Sequence, residues 1–307
     1  MRNAIVEEIE AICNSDPQII VMTADLGYSV FEPLQKKFPD RFINTGISEA
    51  IMTSAAAGLA LSGKTVVTYS IGNFNTLRVI EQIRNDVCYH NVHVITISVA
   101  GGFAYGQLGM SHHATEDIGM MSILPNMAVL APATPMEARE AFHWAIKHKG
   151  PSYIRLFRRG EPALYETTVR DIYQPRSVCY EAGARVALLC SGPILGNVIL
   201  AQKFLMSKGI KANVWSVPCI KPLNAKVIEE ILKNYDLVAT VEEHQIHGGF
   251  GGIVCEIAAE SRMKLARILR LGLKDEFTSV VGNHEYLCDY YGLSAEKIAK
   301  SVEMALE

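Results

Sequence analysis

Short apolar runs rich in β-branched residues alternate along the chain with longer stretches whose apolar residues recur every three to four positions. This alternation is typical of a parallel sheet with helices packed on both faces. In the first half, it predicts strands at residues 18–23, 41–44, 65–69, 92–99, 127–131 and 152–155, and helices at residues 3–13, 49–61, 74–89 and 135–147. We therefore expect the first half to form a doubly wound α/β domain.

The pattern becomes irregular after residue 159, where glycine and proline interrupt it, and it resumes near residue 184. The second half predicts strands at residues 187–191, 211–217 and 237–241, and helices at residues 197–208, 225–234, 251–261 and 293–305. A boundary is expected within residues 165–183. The expected fold is α/β, with two doubly wound domains and mostly parallel sheets, over residues 1–170 and 180–307.

Composition narrows the classes of partner. The 307 residues carry a net charge of −3 without a basic cluster, which argues against a nucleic-acid partner. The acidic, amphipathic start lacks the apolar core of a signal peptide, and no apolar run is long enough to span a membrane. Seven cysteines without a CxxC pair indicate reduced thiols. We expect a cytoplasmic protein that binds small molecules and other proteins.

One carboxylate, Glu49, falls on the first turn of the helix predicted at residues 49–61, within the run 46–50 (GISEA). Ser48 precedes it as a candidate N-cap, and the helix dipole favours a negative charge at this end. Glu49 could therefore simply help to start the helix. Alternatively, it is an acid placed at the edge of a sheet for chemistry.

Two adjacent histidines, His112 and His113, lie in the long loop after the strand predicted at residues 92–99. In open α/β sheets, such loops border the ligand crevice. Adjacent loop side chains point in different directions, so a two-histidine metal site is not expected. A single imidazole in the crevice could bond a substrate oxygen or move a proton near neutral pH.

The glycine-rich loop at residues 248–252 (GGFGG) precedes a predicted helix. It lacks the lysine and hydroxyl of a phosphate-binding loop, and the chain contains no GxGxxG fingerprint. We interpret it as a tight turn between a strand and a helix. His244 and His247 beside it are interpreted as structural residues or as part of a subunit contact.

Several motifs resemble the C-terminal half of transketolase, in the same order along the chain. Residues 44–50 (NTGISEA) resemble the glutamate motif of thiamine-diphosphate enzymes, and residues 109–113 (GMSHH) resemble the histidine loop of transketolases. Residues 70–74 (SIGNF), followed by residues 78–85 (RVIEQIRN), are similar to the segment whose aromatic side chain stacks on the aminopyrimidine. Agreement spans nearly the whole chain.

The resemblance implies thiamine diphosphate as cofactor and transfer of a two-carbon ketol unit between sugars or sugar phosphates. Glu49 would donate a hydrogen bond from a protonated carboxyl to the pyrimidine ring, and Phe74 would stack on that ring. Asp25 and Ile71 are implied as further cofactor-binding residues. His112 would assist the substrate oxygen that gains or loses a proton.

The substrate end departs from the family pattern. Arg2, Ser29 and Arg158 stand where transketolases keep phosphate-binding groups, and guanidinium groups suit phosphate. Each could equally be a solvated surface residue. Leu108 replaces an acidic residue that binds a donor hydroxyl, and Ala100 replaces a second histidine. The resemblance therefore leaves the donor and acceptor open.

The chain contains no Gly-Asp-Gly segment, which in this family binds Mg²⁺ and the diphosphate. The resemblance thus implies a split enzyme in which a second subunit carries the diphosphate domain, with two copies of each chain. The alternatives are a subunit of a deoxyxylulose-phosphate-synthase-like or 2-oxoacid-dehydrogenase-like enzyme, or a non-catalytic regulatory subunit.

Overall fold

The computed structural model describes residues 1–27, 30–157 and 171–307. Its helices are α1 (Arg2–Ser15), α2 (Glu32–Lys37), α3 (Glu49–Leu61), α4 (Ile80–Gln82), α5 (Asp117–Ser122), α6 (Pro135–His148), α7 (Leu195–Ser207), α8 (Ala225–Asn234), α9 (Phe250–Glu260), α10 (His284–Tyr290) and α11 (Ala295–Leu306). Its strands are β1 (Ile19–Thr23), β2 (Phe42–Asn44), β3 (Thr65–Ile71), β4 (Val94–Val99), β5 (Ala128–Leu130), β6 (Ser152–Arg155), β7 (Arg176–Cys179), β8 (Val186–Cys190), β9 (Ala212–Ser216), β10 (Cys219–Lys221), β11 (Leu237–Gln245) and β12 (Arg267–Leu273).

The first sheet has seven strands in the order β10-β5-β6-β4-β3-β1-β2. All neighbours in it are parallel except β10, which pairs antiparallel with β5. Every residue of β4 at the centre is buried, because helices cover both faces. Since β10 comes from the second half of the chain, both halves build this sheet.

The second sheet has five strands in the order β12-β11-β8-β9-β7, and only β7 is antiparallel to its neighbour. The predicted α/β fold with two mostly parallel sheets is confirmed. Strand β7 belongs to the second sheet although it precedes residue 180. The domain limits at residues 170 and 180 remain a prediction, because residues 158–170 lie outside the described part of the chain.

The single helix predicted at residues 74–89 was wrong in detail. The segment forms a 3-10 turn at Leu77–Val79, then α4, then a π-helical stretch at Ile83–Cys88. Side chains compete for the backbone at its start: the Thr76 hydroxyl donates to the Gly72 carbonyl at 2.6 Å. The resulting turn sets the position of the residues around Phe74.

Polar side chains satisfy the first turns of several helices. Thr134 accepts a hydrogen bond from the Glu137 backbone N–H at α6, and Asn283 accepts one from the Tyr286 N–H at α10. At α3, by contrast, Ser48 makes no side-chain cap hydrogen bond. Ser48 is therefore the N-cap residue of α3, as suggested, but its hydroxyl does not cap the helix.

A buried network joins the two halves of the chain. The Arg155 Nε–H donates to Asp117 at 2.8 Å, and Arg155 Nη2 donates to the Glu243 carbonyl oxygen at 2.9 Å. The Phe103 backbone N–H donates to the Glu243 carboxylate at 3.1 Å. These bonds fix the first half's loop of residues 100–116 against β11. Among the described helices, none combines the length and apolar character needed to cross a bilayer.

Candidate active site

Glu49 lies on the first turn of α3 with its side chain only 3% exposed. Its Oε2 accepts a hydrogen bond from Arg78 Nη1 at 3.0 Å, and the Arg78 side chain is 49% exposed. A buried carboxylate without a cation would carry a large desolvation penalty. The ion pair with Arg78 therefore offsets that penalty for Glu49.

Arg78 also connects Glu49 to an aromatic side chain. Its guanidinium carbon lies 4.1 Å from the centre of the Phe74 ring, a cation–π contact. The Phe74 ring in turn meets the His112 ring edge to face, with centroids 5.2 Å apart. The structure thus brings together Glu49, Phe74 and His112, three residues predicted from different parts of the sequence, with Arg78 between two of them.

The two adjacent histidines have different environments. His112 is partly buried, and its Nδ1 lies 3.0 Å from the Ser111 hydroxyl. Burial, His113 and the Arg78 guanidinium lower the pKa of His112 below its ordinary value of 6.5, so the imidazole is neutral near pH 7. A neutral imidazole can accept a proton or a hydrogen bond.

His113, by contrast, is fully enclosed. Its Nε2–H donates to the Gly106 carbonyl at 3.0 Å, and its Nδ1 lies 2.7 Å from the Thr278 hydroxyl. Both ring nitrogens are therefore occupied within the protein. His113 anchors the histidine loop to the second half of the chain, which leaves His112 as the histidine available to a ligand.

Asn73 fixes the histidine loop from the opposite side. Its amide Nδ2 donates to the carbonyl oxygens of Ser111 and His113, at 3.2 Å and 2.9 Å. Because these carbonyls flank His112, Asn73 sets the position of that imidazole relative to Phe74. Asn73 stood inside the aromatic motif, but nothing in the sequence showed a contact across 40 positions.

A cavity of about 460 Å³ lies beside these residues, within the size range of small-molecule sites. Its walls are mostly apolar, with the Arg78 guanidinium, the Asn73 amide and the Glu116 carboxyl as polar groups. Burial raises the pKa of Glu116. The lining residues are Asn73, Phe74, Leu77, Arg78, Met110, Ser111, His113, Thr115, Glu116, Met120, Phe277 and Thr278.

Of the predicted site residues, Phe74 lines the cavity, whereas Glu49 and His112 meet its wall only through their contacts with Arg78 and Phe74. The other predicted site residues lie away from the cavity or outside the described part of the chain. Asp25 adopts a left-handed backbone conformation (φ 54°), and Asn44 bonds both its backbone and its carboxylate. Ile71 ends β3 inside the apolar core, and Arg2 bonds its neighbour on α1. None of the described three, Asp25, Ile71 and Arg2, lines the cavity. Ser29 and Arg158 lie outside the described residues.

The glycine-rich loop at residues 248–252 offers no room for an anion. The Glu242 carboxylate already accepts hydrogen bonds from the Phe250 and Gly251 N–H groups, at 2.7 Å and 2.8 Å, at the start of α9. Burial raises the pKa of Glu242 to about 7. The histidine beside this loop, His244, accepts a hydrogen bond from the Gly119 N–H. Both features are structural here.

The residues present fit one half of thiamine diphosphate. Phe74 supplies an aromatic ring in the wall of an apolar cavity, and Glu49 supplies a buried carboxyl next to the Arg78 side chain of the same wall. This combination suits a flat heteroaromatic ring with a hydrogen-bonding nitrogen. The diphosphate end needs a hard cation with oxygen ligands. The Gly-Asp-Gly segment that supplies them in such enzymes is absent from the sequence.

Two family models cover most of the chain: the transketolase pyrimidine-binding domain matches residues 1–161, and the transketolase C-terminal domain matches residues 178–298. Among curated proteins, the chain is 33% identical to a subunit of the apulose-4-phosphate transketolase of Actinobacillus succinogenes, covering 100% of this chain and 97% of that protein. It is also 33% identical to a putative transketolase C-terminal section of Methanocaldococcus jannaschii, covering 98% and 95%.

Comparison with solved structures also identifies transketolases. A split-gene transketolase described as an inactive β4 tetramer superposes with a TM-score of 0.87 at 31% identity, covering 99% of this chain and 97% of that chain. The transketolase of Campylobacter jejuni, at 20% identity and a TM-score of 0.84, shares the fold over 46% of its length. The chain therefore belongs to the transketolase family and corresponds to the separate subunit, with pyrimidine-binding and C-terminal domains, of its split enzymes.

Proposed function

We propose that this chain is one subunit of a thiamine-diphosphate-dependent transketolase that transfers a two-carbon ketol unit between sugar or sugar-phosphate substrates. The active site would be completed by a partner subunit that carries the diphosphate domain and Mg²⁺. The observation that carries this proposal is the buried Glu49 carboxylate, which Arg78 connects to Phe74 at the wall of the apolar cavity.

Each residue of the site has a task that its position suits. Bound thiamine diphosphate supplies the carbon nucleophile that cleaves and re-forms the carbon–carbon bond. Phe74 holds the pyrimidine ring by stacking. Glu49, as a protonated carboxyl, donates to a ring nitrogen. His112, with its lowered pKa, accepts a proton from a substrate oxygen and returns it.

Arg78 has to leave Glu49 when the cofactor binds. The Arg78 guanidinium lies 3.0 Å from Glu49 Oε2 and so occupies the carboxyl group that would donate to the pyrimidine nitrogen. Because Arg78 is half exposed, it can swing toward solvent or toward the substrate. This movement would free the Glu49 carboxyl for the cofactor.

Exposed apolar side chains around the site support a partner subunit. Ile47 and Ile51 flank Glu49 and are 81% and 65% exposed, while Leu77, Met110 and Phe277 line the cavity and are also exposed. Such a concentration of exposed apolar residues is typical of a protein interface. Relatives named as transketolase subunits support the same arrangement, because a subunit implies a partner chain. We propose two copies of each chain in the assembly.

The substrate is proposed by class alone. Leu108 is exposed and Ala100 is buried. Both side chains are apolar, so neither can supply a hydrogen bond to a sugar hydroxyl. The relatives are named for apulose 4-phosphate and 6-deoxy-6-sulfofructose, which indicates that transketolases of this type accept varied donors. A screen of ketose phosphates and of pyruvate would separate ketol transfer from the synthase-like and dehydrogenase-like alternatives.

The Glu49→Gln substitution tests the proposed function. Glutamine keeps the size of the side chain but cannot supply the carboxyl proton, so we expect ketol transfer by the two-chain complex to fall about 100-fold or more. Circular dichroism and co-purification with the partner should be unchanged. The control is Glu81→Gln, an exposed glutamate near the same site, which should keep full activity. Unchanged activity of Glu49→Gln would overturn the proposal and favour a regulatory subunit.

A further inference from the structure

Three side chains capable of binding a metal meet in the second half of the chain, and none of them has a role in the proposed reaction. They are Glu243 on β11 and His284 and Cys288 on α10. One ligand atom from each lies within 4.8 Å of the other two. Among the described residues, this is the sole group of three or more potential ligands so placed.

Two of the three distances between ligand atoms can be compared with a tetrahedral metal site, and the third, from the Glu243 oxygen to the Cys288 sulfur, is within 4.8 Å. The His284 Nε2–H donates to Glu243 Oε1 at 2.8 Å, and the Cys288 Sγ lies 3.5 Å from the same Nε2. Zinc bonds of about 2.0 Å to nitrogen and oxygen and about 2.3 Å to sulfur place tetrahedral ligand atoms roughly 3.3 to 3.6 Å apart. The nitrogen–sulfur distance fits as it stands. The oxygen–nitrogen distance would have to open by about half an ångström.

The surroundings hold the three groups in position. His284 and Cys288 are four residues apart on α10 and therefore lie on the same face of the helix. The second carboxylate oxygen of Glu243 accepts a hydrogen bond from the Phe103 N–H, which orients the first oxygen toward His284. Glu243 and Cys288 are buried.

His284 reaches a cavity of about 350 Å³, lined by Ala104, Tyr105, Gly106, Gln107, Leu108, Gly282, Asn283 and His284. Its side chain is partly exposed, with 27% accessible to solvent. The cluster thus has an entry path from solvent and space for a water molecule as a fourth ligand. Three protein ligands with an open fourth position is a common arrangement for zinc.

We propose that Glu243, His284 and Cys288 form a binding site for a zinc-type divalent cation. The mixture of thiolate, imidazole and carboxylate suits zinc or cobalt, whereas Mg²⁺ prefers oxygen ligands alone. His284 binds the cation through Nε2 as the neutral tautomer with its proton on Nδ1, and Cys288 binds as the thiolate after its thiol proton has passed to solvent.

A cation here would connect α10 to β11 and, through Glu243, to the loop that carries His112. Tyr105 lines the same cavity, and its ring lies 6.3 Å from the ring of His112. Binding would therefore stabilise the junction between the two halves and restrain the histidine loop. All three protein ligands of the cation would come from this chain.

Titration of the full chain with Co²⁺ under reducing conditions tests the site. A cobalt–thiolate bond gives a charge-transfer absorption in the near ultraviolet, which neither histidine nor carboxylate produces. We expect a band that saturates at one equivalent, competes with Zn²⁺, and is lost in Cys288→Ser. His284→Gln should weaken Co²⁺ affinity about tenfold or more. The control is Cys255→Ser, a partly buried cysteine on α9, which should keep the band.

Thermal unfolding provides a second readout if Cys288→Ser is poorly folded. Zn²⁺ should raise the melting temperature of the wild type and of Cys255→Ser but not that of His284→Gln, which keeps the buried thiol. Absence of the band from the folded wild type would overturn the proposal. A band that persists in Cys288→Ser, or that disappears in Cys255→Ser, would also overturn it because the thiolate would come from elsewhere.

Discussion

At the scale of single residues, the site depends on the charge of one exposed arginine. Arg78 contacts the Glu49 carboxylate and the Phe74 ring, and its charge is one of the causes that lower the pKa of His112. Glu49 and His112 thus respond to the same guanidinium although they come from segments 63 positions apart in the sequence. A local motif search could find the motif residues but could not show this coupling.

The charge of Arg78 should be visible in the titration of His112. Burial, His113 and the Arg78 guanidinium place the pKa of His112 below 6.5, so it should gain its proton only in more acidic solution. In Arg78→Met, one repulsive charge is gone and the pKa should rise. Proton NMR of the imidazole C2–H resonance measures the pKa of His112 in the wild type and in Arg78→Met. The His112→Gln variant assigns the signal. The exposed Arg84→Met is the control, and an equal shift there would contradict the account.

At the scale of elements, the sequence predicted most of the regular structure. Strands buried on both faces are continuous apolar runs, and the amphipathic helices α6, α8 and α11 show clear periodicity. Strand β12 was missed because its arginines (RILRLGL) interrupt the apolar run. Short elements such as α5 and β10 were missed because tertiary contacts, rather than local sequence, create them. For the same reason, the sequence could not predict the loop contacts that complete the site.

The segment between β3 and the π-helical stretch should control the histidine loop. Asn73→Ala removes two hydrogen bonds to the carbonyls that flank His112, so the loop should become less ordered. We expect kcat/KM of the two-chain enzyme to fall about tenfold, with a loss of stability of about 1 kcal/mol.

Asn75→Ala is the matched control for that prediction. Asn75 is buried two positions away, but its amide donates to the Ile97 carbonyl in β4 rather than to the loop. It should lower stability to a similar extent and leave kcat/KM of the folded enzyme nearly unchanged. Equal losses of kcat/KM in Asn73→Ala and Asn75→Ala would show that Asn73 has no special role in positioning the loop.

At the scale of the whole molecule, the two halves form one continuous structure. Strand β10 crosses from the second half into the first sheet, and the Arg155 network bonds the first half to β11. The sequence predicted two α/β domains but not their connection, because the bonds involved join residues 88 to 140 positions apart. The histidine loop lies at this junction. Stability of the junction and order of the loop are therefore linked.

Removing Arg155 should show how strongly the stability of this junction depends on its buried hydrogen bonds. Arg155→Met leaves the buried Asp117 carboxylate without its cation, and breaking a buried ion pair typically costs about 3 to 5 kcal/mol. Chemical denaturation should show that loss in the free energy of unfolding. The control is Arg185→Met, which breaks an ion pair to Asp236 whose arginine is 80% exposed and should cost about 1 kcal/mol or less. Similar losses in both variants would contradict the structural role of Arg155.

The most direct test of the central claim is calorimetric binding of thiamine diphosphate with Mg²⁺, to this chain alone and after co-purification with the polypeptide encoded beside it. In the proposed arrangement, the chain supplies the pyrimidine half of the site with Glu49 and Phe74, and its sequence lacks the Gly-Asp-Gly segment for the diphosphate. We predict tight binding only in the two-chain complex, and loss of ketol transfer there with Glu49→Gln. Equally tight binding by this chain alone, or no binding by the complex, would contradict a shared active site.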